Sequence, residues 1–502
     1  QMCIRDRYCG EYTRNPNANG IDILTAYFKN RTLDSNDVFQ FKLYGPQSPF
    51  SISFRDTSNN EVLQFNSSII NNNWQEFSIN LSSLGNNNVS HFILQLDPGM
   101  VNWNTYYIDD FQILPLSQSR YLDNFFTNVN VTSDVIYGQN VTILPMLQGQ
   151  SPSTQDLYCD IYEPVGDSSS NRPVIILMHD GEFLPPVVNG EATGSKTDSS
   201  VVENCMRWAK KGYVAVAMTY RQGWSPASSS QNVRTQTKLQ AIYRGMHDAK
   251  AMVRYLRKTE AVDGNPYAID ESRIVIGGHG TGGLIAMSYS HLDTISDLLL
   301  YPKFWDISDP NPANHTPFID TLYYGNIDGT NTTYYPPNTP PFNFSNSTLW
   351  NIGNNPLYSS DVSMVFNMGG YLPDVSWIDS SSIPQVSFHC ENDPFHHIDS
   401  GAIIVPTTGD IIINDIVGSR TTTHYNTLFG NNAGFNQAGL NDTLTQIANA
   451  YNSAWDAQHG LVYDGLYVFN TPAPNTSMNM FGMWGEHESA PWDWWDNTLY
   501  GI

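Results

Sequence analysis

The stretch that decides the fold is residues 274–284, Ile-Val-Ile-Gly-Gly-His-Gly-Thr-Gly-Gly-Leu. Its first three residues, Ile274–Ile276, are typical of a strand that is buried on both faces of a parallel sheet. Small residues follow at once, as a turn too tight for large side chains requires. The stretch therefore predicts a buried strand, a sharp turn and the start of a helix in direct succession.

Strands alternate with helices on both sides of this turn. Two more continuous apolar runs, Val174–Met178 and Val214–Met218, predict buried strands of the same sheet. The runs at Val365–Met368 and Pro384–His389 continue it. A crossover helix before Ile274 is predicted by apolar residues at helical spacing, namely Ile242, Met246, Ala249, Val253 and Leu256.

This alternation predicts an α/β fold with a doubly wound, mostly parallel sheet over residues 135–502. From about residue 291 to residue 358 the alternation stops, and Pro, Asn and Tyr become frequent. An insertion of this length inside a compact domain is usually a lid or a binding surface. We therefore expect a lid-like insertion in this region.

Residues 1–115 follow a different pattern, in which apolar and polar side chains alternate. Phe39, Phe41 and Leu43 face one way, while Gln40 and Lys42 face the other. Asn- and Ser-rich turns separate several short runs of this kind, which predicts an all-β sandwich. The polar residues 116–134 are predicted to be a linker.

The amino-acid composition of the chain argues against some classes of binding partner. The chain has 24 Lys and Arg against 48 Asp and Glu, a formal net charge of −24, which disfavours nucleic acid as a partner. Its apolar runs are too short to span a bilayer. Charged residues make up only 14% of the chain, so the polar surface relies on Asn, Ser and Thr. We expect an extracellular or cell-surface location, with an acidic cytosolic protein as the alternative.

The turn at residues 278–282 matches the nucleophile elbow G-x-S-x-G in one frame only. That frame puts Gly280 where the nucleophilic serine belongs. Acyl transfer at an elbow needs an oxygen that a histidine activates, and glycine has no side chain. The frame therefore predicts a vacant nucleophile position.

The chain resembles the carboxylesterase and lipase kind of α/β-hydrolase over about residues 135–495. The resemblance rests on residues 155–164, Gln-Asp-Leu-Tyr-Cys-Asp-Ile-Tyr-Glu-Pro, and on Arg172-Pro173, Lys211–Val214 and Tyr220-Arg221, which recur there in the same order. It implies the α/β-hydrolase fold and, in active members, hydrolysis of carboxylic esters without a cofactor.

The resemblance also implies where the remaining machinery lies. His179-Asp180-Gly181 stands where relatives carry His-Gly-Gly, a loop that with the residue after the nucleophile, here Thr281, donates N–H groups to the oxyanion. Asp180 replaces a glycine, and its carboxylate opposes an oxyanion. Asp393 matches the triad acid or is a turn-forming residue before Pro394, and His487 matches the triad histidine or is a surface or packing residue.

One group of side chains late in the sequence could be considered for a metal site. The acidic and imidazole side chains that cluster late in the sequence are His389, Glu391, Asp393, His396 and His397. Their spacing matches no common ligand pattern, so no metal is expected. The five cysteines have no metal-like spacing either, and the redox compartment stays open.

The first domain resembles jelly-roll carbohydrate-binding modules. The resemblance rests on residues 106–114, Tyr-Tyr-Ile-Asp-Asp-Phe-Gln-Ile-Leu, and on the Trp-led run Trp74–Ile79. It implies that Trp74, Trp103 and Tyr106 stack on sugar rings. The alternative is that they fill the core of the sandwich or its rim.

Together these features predict a catalytically inactive, secreted relative of ester hydrolases that acts in binding or extracellular assembly. The expected partners are a glycan or another cell-surface polymer, or further copies of the chain. The competing hypothesis is an active carboxylic-ester hydrolase acting on polysaccharide acyl groups or small esters. A purely sugar-binding protein is the third.

Overall fold

The computed structural model describes residues 10–13, 23–28, 33, 37–69, 72–81, 84, 89–99, 104–115, 120–189, 193–391, 393, 396–405, 407–460 and 462–469. The chain divides into two compact units, Gln1–Asp123 and Asn124–Ile502. None of the helices in these ranges is long and apolar enough to cross a membrane.

The first unit contains two antiparallel four-stranded sheets, in the orders β1-β8-β3-β6 and β2-β7-β4-β5. This architecture fits the predicted β-sandwich. Its strands are β1 (Gly10–Thr13), β2 (Ile23–Tyr27), β3 (Asp37–Tyr44), β4 (Ser48–Arg55), β5 (Glu61–Ile69), β6 (Gln75–Asn80), β7 (His91–Leu96) and β8 (Thr105–Pro115).

The alternation in β3 explains the core of the first unit. Phe39, Phe41 and Leu43 are buried, while Gln40 and Lys42 lie between them at half-buried positions. Because successive side chains of a strand point to opposite faces, one face supplies the core and the other meets solvent. Phenylalanine rings from both sheets pack on Phe39 and Phe41, among them Phe50, Phe54, Phe77 and Phe92.

The second unit contains an eight-stranded sheet in the order β22-β19-β18-β13-β11-β12-β10-β9. The strands of the unit are β9 (Val129–Thr142), β10 (Ser153–Pro164), β11 (Arg172–Met178), β12 (Val214–Met218), β13 (Ile269–His279), β14 (Trp305–Asp306), β15 (Thr316–Pro317), β16 (Thr333–Tyr335), β17 (Thr348–Asn351), β18 (Met364–Met368), β19 (Gln385–Cys390), β20 (Ser400–Ile404), β21 (Ile411–Val417) and β22 (Leu466–Phe469). Strands β11, β12, β13, β18, β19 and β22 pair in parallel, and β9 and β10 are antiparallel.

Helices cover both faces of this sheet, which confirms the predicted α/β class. The α-helices of the described residues are α1 (Pro186–Asn189), α2 (Ser199–Lys210), α3 (Gln231–Val262), α4 (Thr281–His291), α5 (Ile295–Leu298), α6 (Thr321–Tyr324), α7 (Ser419–Leu428), α8 (Ala433–Gln437) and α9 (Thr443–His459). Side chains of α3 and α4 pack with Ile176 and Ile276 on one face, and those of α2 pack with Leu177 and Ala215 on the other.

The start of the second unit lies earlier than the sequence pattern suggested. Strand β9 begins at Val129, inside the range 116–134 that was expected to be a linker. The cause is its long antiparallel pairing with β10, which runs from Val129 opposite Pro164 to Thr142 opposite Ser153.

The expected insertion, about residues 291–358, contains α5, α6 and two short hairpins, β14-β15 and β16-β17. Its polar contacts follow α3 from end to end. Asn232 bonds to Asp306, Tyr243 to the carbonyl of Gly325, Lys250 to Asp328, and Arg254 to the carbonyl of Asn354. These contacts fix the segment along the side of α3, and a lid function stays a prediction.

Candidate functional site

The turn at Gly280 has the form that the sequence predicts. Strand β13 ends at His279 and α4 begins at Thr281, so Gly280 alone connects them, with φ 42° and ψ −104°. Residues that carry a side chain rarely adopt this backbone conformation. Gly282 is also confined, because a Cβ there would lie 2.3 Å from the carbonyl oxygen of Met178.

The carboxylate of Asp180 fills the space beside Gly280. A Cβ on Gly280 would lie 2.4 Å from Oδ2 and 2.5 Å from Oδ1 of Asp180. The same carboxylate accepts a 2.8 Å hydrogen bond from the backbone N–H of Thr281, the first residue of α4. The space beside Gly280 and the N–H of Thr281 are therefore both occupied by one acidic side chain.

The Thr281 hydroxyl also makes hydrogen bonds to the loop that carries Asp180. Its oxygen accepts a 2.9 Å hydrogen bond from the N–H of Glu182, and the side chain also bonds to the Asp180 carboxylate. Burial and the nearby charge of Glu182 raise the pKa of Asp180. Burial favours the neutral acid because the charged form loses its hydration.

The rest of the loop after β11 is shaped by packing. His179 stacks on the ring of Tyr220 at 4.3 Å, and burial lowers its pKa to about 4, so its ring is neutral at pH 7. Gly181 has φ 109°, and a Cβ there would lie 2.5 Å from the Cα of Gly194. His179 and Gly181 thus hold the loop that carries Asp180.

A buried ion cluster adjoins this loop, and sequence reasoning did not find it. Glu182 pairs with Lys238 through Oε2, and its Oε1 lies 3.3 Å from Nε2 of His396. The ammonium of Lys238 lies between the rings of Phe183 and Trp224, 5.1 and 4.7 Å from their centroids. The sequence gives His396 no role as a triad histidine because it lies so near Asp393, and Lys238 carries no sequence signal beyond its place on a helix.

The pKa values of this cluster follow from its pairing. Burial acts against the charged form of His396, but the hydrogen bond to Glu182 and the charges of Asp393, Glu182 and Asp180 outweigh it and raise the pKa to about 9. Burial also opposes the charge of Glu182, yet Lys238 and His396 hold its pKa well below the usual range. At pH 7 Glu182 and His396 are therefore both charged.

Asp393 follows β19, where the resemblance places the triad acid. Its Oδ1 accepts a 2.9 Å hydrogen bond from the N–H of His396, and its Oδ2 lies 3.5 Å from Nε2 of His389. The first contact is that of a turn-forming aspartate, the alternative stated above. His487, the expected partner of Asp393, lies outside the described residues.

Another hydroxyl beside an imidazole lies near the elbow. The Ser200 hydroxyl is 3.2 Å from Nδ1 of His279, and both side chains are buried. Burial, with a contribution from His179, lowers the pKa of His279 to about 4. A base with so low a pKa is poorly matched to activating a hydroxyl near pH 7.

The residues predicted to bind sugars differ in their exposure to solvent. Trp74 is 47% exposed, and its ring lies 5.6 Å from that of Tyr44. Tyr106 is fully buried in the sandwich core, against Gly45, so the prediction that it stacks on sugars is wrong and the core alternative holds. The register explains this, because Tyr106 and Ile108 face inward and Tyr107 faces outward. Trp103 lies outside the described residues.

An apolar groove of about 480 Å³ lies elsewhere in the second unit. It contains none of the residues of the elbow or of the ion cluster. Its lining offers packing surface and no acid–base pair, and includes Ile175, Trp208, Val275, Phe366, Phe388 and Phe469. Among the described residues, no three His, Cys, Asp or Glu side chains are grouped so that they could hold a metal ion.

Comparison with known proteins gives distant likenesses among solved structures. No family model and no curated protein matches the chain. Among solved structures, native esterase 2 of Thermogutta terrifontis is 16% identical over 53% of this chain and 72% of its own, with a TM-score of 0.29. The same esterase with propionate bound is 16% identical over 54% and 74%, with a TM-score of 0.29. The form phosphorylated by paraoxon is 15% identical over 54% and 73%, with a TM-score of 0.29.

The first prediction concerns the space beside Gly280. Gly280→Ala is expected to lower the free energy of unfolding by about 2–4 kcal/mol, because the methyl group meets the Asp180 carboxylate and the backbone is strained. Chemical denaturation measures it. Gly430→Ala is the control, since Gly430 also has a positive φ but open space around it, and about 1–2 kcal/mol is expected there.

In an Asp180→Gly background, Gly280→Ala should lower the free energy of unfolding by no more than Gly430→Ala does, because the carboxylate is no longer there. If Gly280→Ala lowers the free energy of unfolding equally in the native and the Asp180→Gly backgrounds, the carboxylate does not occupy the space.

The second prediction concerns the charge of His396. Its folded pKa of about 9 lies above the reference value of 6.5, so its contribution to stability is complete below pH 6.5 and is lost as the pH rises through 9. His396→Gln should therefore lower the free energy of unfolding by about 3 kcal/mol at pH 6 and by far less at pH 10. Denaturation at both pH values measures this, with exposed His459→Gln as control. Equal losses at the two pH values would contradict the assignment.

Proposed function

We propose that the second unit is a binding or assembly domain built on an α/β-hydrolase-like scaffold, and that it does not turn over esters. The observation that carries the proposal is the Asp180 carboxylate, which lies where the side chain of residue 280 would project and accepts the Thr281 N–H. Acyl transfer requires both positions, one for the attacking oxygen and one for the oxyanion.

The chemistry of the site supports this proposal at each step. Gly280 offers no oxygen, and the Thr281 hydroxyl is engaged with the Glu182 N–H and the Asp180 carboxylate. Triads that lose a member keep about 10³–10⁴-fold of rate over water through the oxyanion hole and substrate binding. Here the N–H that would serve that hole is already bonded to a carboxylate, so even this residual rate is not expected.

We expect the protein to act outside the cell or on its surface. The acidic balance, 24 Lys and Arg against 48 Asp and Glu, and the low content of charged residues support it. Assembly with further copies of the chain is part of the same proposal. The aromatic and Asn-rich surface suits polar, aromatic contacts.

Glycan recognition by the first unit is the second candidate function. Tyr44 pairs with Tyr107 across β3 and β8, and Trp74 precedes Gln75, the register partner of Leu43. The Tyr44 ring lies 5.6 Å from Trp74 and 5.9 Å from Tyr107. This aromatic row stands on the face of the sheet that points away from the core, and flat aromatic faces pair with the apolar faces of sugars.

A working ester hydrolase, acting on polysaccharide acyl groups or small esters, is the competing function. The strand, tight turn and helix around Gly280 favour it, as does the position of Asp393 after β19. The missing hydroxyl and the Asp180 carboxylate count against it. Turnover assays separate the two functions.

The third prediction tests this choice with a chromogenic acetate ester and four full-length proteins. The native chain, Gly280→Ser, Asp180→Gly and the double variant are compared. The native chain is expected to hydrolyse the ester no faster than buffer, and Gly280→Ser alone no faster either, because its side chain meets Asp180. Only the double variant has both a hydroxyl and room for it.

Saturable turnover by the native chain would overturn the proposal. Asp393→Asn is the control for such activity, because a contaminating esterase is unaffected by it, while turnover by this chain with Asp393 as triad acid is lost.

The fourth prediction tests glycan recognition by retention on insoluble polysaccharides. Trp74→Ala and Tyr107→Ala should each weaken binding about 2- to 10-fold, the effect of losing about 0.5–1.5 kcal/mol of aromatic contact. Tyr27→Ala is the matched control, because Tyr27 is 71% exposed on the other sheet of the sandwich. Equal losses for Tyr27 and Trp74, or no retention of the native chain, would exclude the aromatic row as the glycan site.

A further inference from the structure

The first part of the insertion, Ile295–Asp320, exposes apolar and aromatic side chains to solvent. Tyr301 is 56% exposed and Ile307 is 46% exposed. The Tyr301 ring lies 5.8 Å from the ring of Trp305, at an angle of 73°. It lies 5.9 Å from the ring of His315, at an angle of 20°. We call the rings of Tyr301, Trp305 and His315 the aromatic corner, because two of them meet almost at a right angle.

Hydrogen bonds hold each ring of the aromatic corner at its polar end. Nε1 of Trp305 donates to the carbonyl of Leu299 at 3.0 Å. His315 bonds through both ring nitrogens, since Nε2 donates to the carbonyl of Asp309 at 2.8 Å and Nδ1 lies 3.2 Å from the Tyr301 hydroxyl. Because these side chains are already ordered, a partner that stacks on them causes little further loss of conformational entropy.

The chain between Tyr301 and Trp305 is anchored to other elements of the second unit. The ammonium of Lys303 donates to the carboxylate of Asp374 and to a backbone carbonyl of β21. Phe304 is fully buried, and its ring packs among the core residues of the unit. The aromatic corner therefore stands on a fixed support.

The surroundings of the aromatic corner are polar and acidic. The segment Ile295–Asp320 has one lysine and no arginine, whereas its aspartates are Asp297, Asp306, Asp309 and Asp320. The hydrogen bond from the Asn311 N–H holds the pKa of the exposed Asp309 carboxyl below its usual range, so this group is charged at pH 7. A polyanion is therefore disfavoured as a partner.

Two other classes of partner fit less well. A cationic peptide would meet Asp309 oxygens that already accept hydrogen bonds from the Asn311 N–H and the Asn314 side-chain amide. A second copy of the chain, docked through the same surface, would bring the Asp309 carboxylates of both copies together. A neutral sugar avoids both problems. One face of a pyranose ring is apolar and stacks on an aromatic ring, while its hydroxyl groups bond to carboxylate and amide oxygens.

We propose that the aromatic corner is a binding surface for a neutral polysaccharide, on which a sugar ring of the polymer stacks. This inference rests on the proposed function in one respect, that the second unit acts by binding, and it adds the surface and the class of partner. Tyr301 offers the most exposed of the three rings. The polar groups around the corner take the hydroxyl groups of the sugar.

The experiment measures how much protein insoluble mannan, cellulose and starch each remove from solution. The parent protein is the full-length chain with Trp74→Ala and Tyr107→Ala, so that the aromatic row of the first unit does not contribute. Adding Tyr301→Ala should weaken binding to the best of the three polysaccharides about 2- to 10-fold, the effect of losing one aromatic contact. Tyr334→Ala is the matched control and should bind as the parent does, because Tyr334 lies in the same insertion and is 55% exposed.

Three outcomes would overturn the inference. The first is that none of the three polysaccharides binds the parent, and the second is that Tyr301→Ala and Tyr334→Ala weaken binding equally. The third is that about 0.5 M sodium chloride abolishes binding, which would indicate a charged partner, because salt screens attraction between charges and leaves stacking on a neutral sugar intact.

Two further variants of Tyr301 test the role of its flat ring, and they also serve if Tyr301→Ala does not fold. Tyr301→Phe keeps the ring and should bind within about twofold of the parent. Tyr301→Leu fills much of the same space without a flat ring and should bind about 2- to 10-fold more weakly. Equal binding by the Phe and Leu variants would contradict stacking on this residue.

Failure of this inference is distinct from failure of the proposed function. Ester turnover by the native chain would overturn the proposed function and leave the difference between Tyr301→Ala and Tyr334→Ala intact. Absence of that difference, with no turnover by the native chain, would overturn the aromatic corner alone.

Discussion

The contact between the Asp180 carboxylate and the first N–H of α4 is the interaction on which the site depends. It exists only because residue 280 has no side chain, since a Cβ would lie 2.4 Å from the carboxylate. Glycine at the turn and aspartate on the neighbouring loop are therefore one structural unit. The unit ties the loop after β11 to the turn between β13 and α4, and it gives the first N–H of α4 a hydrogen-bond acceptor.

Buried charges in the second unit are stabilised by partners on other elements. Arg221, just after β12, pairs with Asp248 of α3 at 3.0 Å, and both side chains are almost completely buried. Lys238 and His396 converge on Glu182 in the same way. A buried charge without a partner is strongly unfavourable, so each pair fixes the relative position of the elements that carry it. The loop bearing Asp180 is held in place by this pairing as much as by packing.

These constraints explain how the α/β arrangement of elements positions the turn at Gly280. The sheet and its helices supply the frame, and the tight turn places the start of α4 beside the loop after β11. The Asp180 carboxylate accepts a hydrogen bond from the first N–H of that helix. The first unit carries an aromatic row, Tyr44, Trp74 and Tyr107, on one sheet of its sandwich.

The sequence by itself determined the strand, turn and helix around Gly280, the absence of a side chain at that turn and the alternating core of the sandwich. These features depend on backbone sterics and on the period of apolar residues, which are local properties. Only the tertiary structure decided that Asp180 fills the vacant space, that Glu182, Lys238 and His396 meet, and that Tyr106 faces the core. Such contacts join residues that are far apart in the chain. The charged side chains pair because folding buries them together, and no local sequence pattern shows which residues will meet.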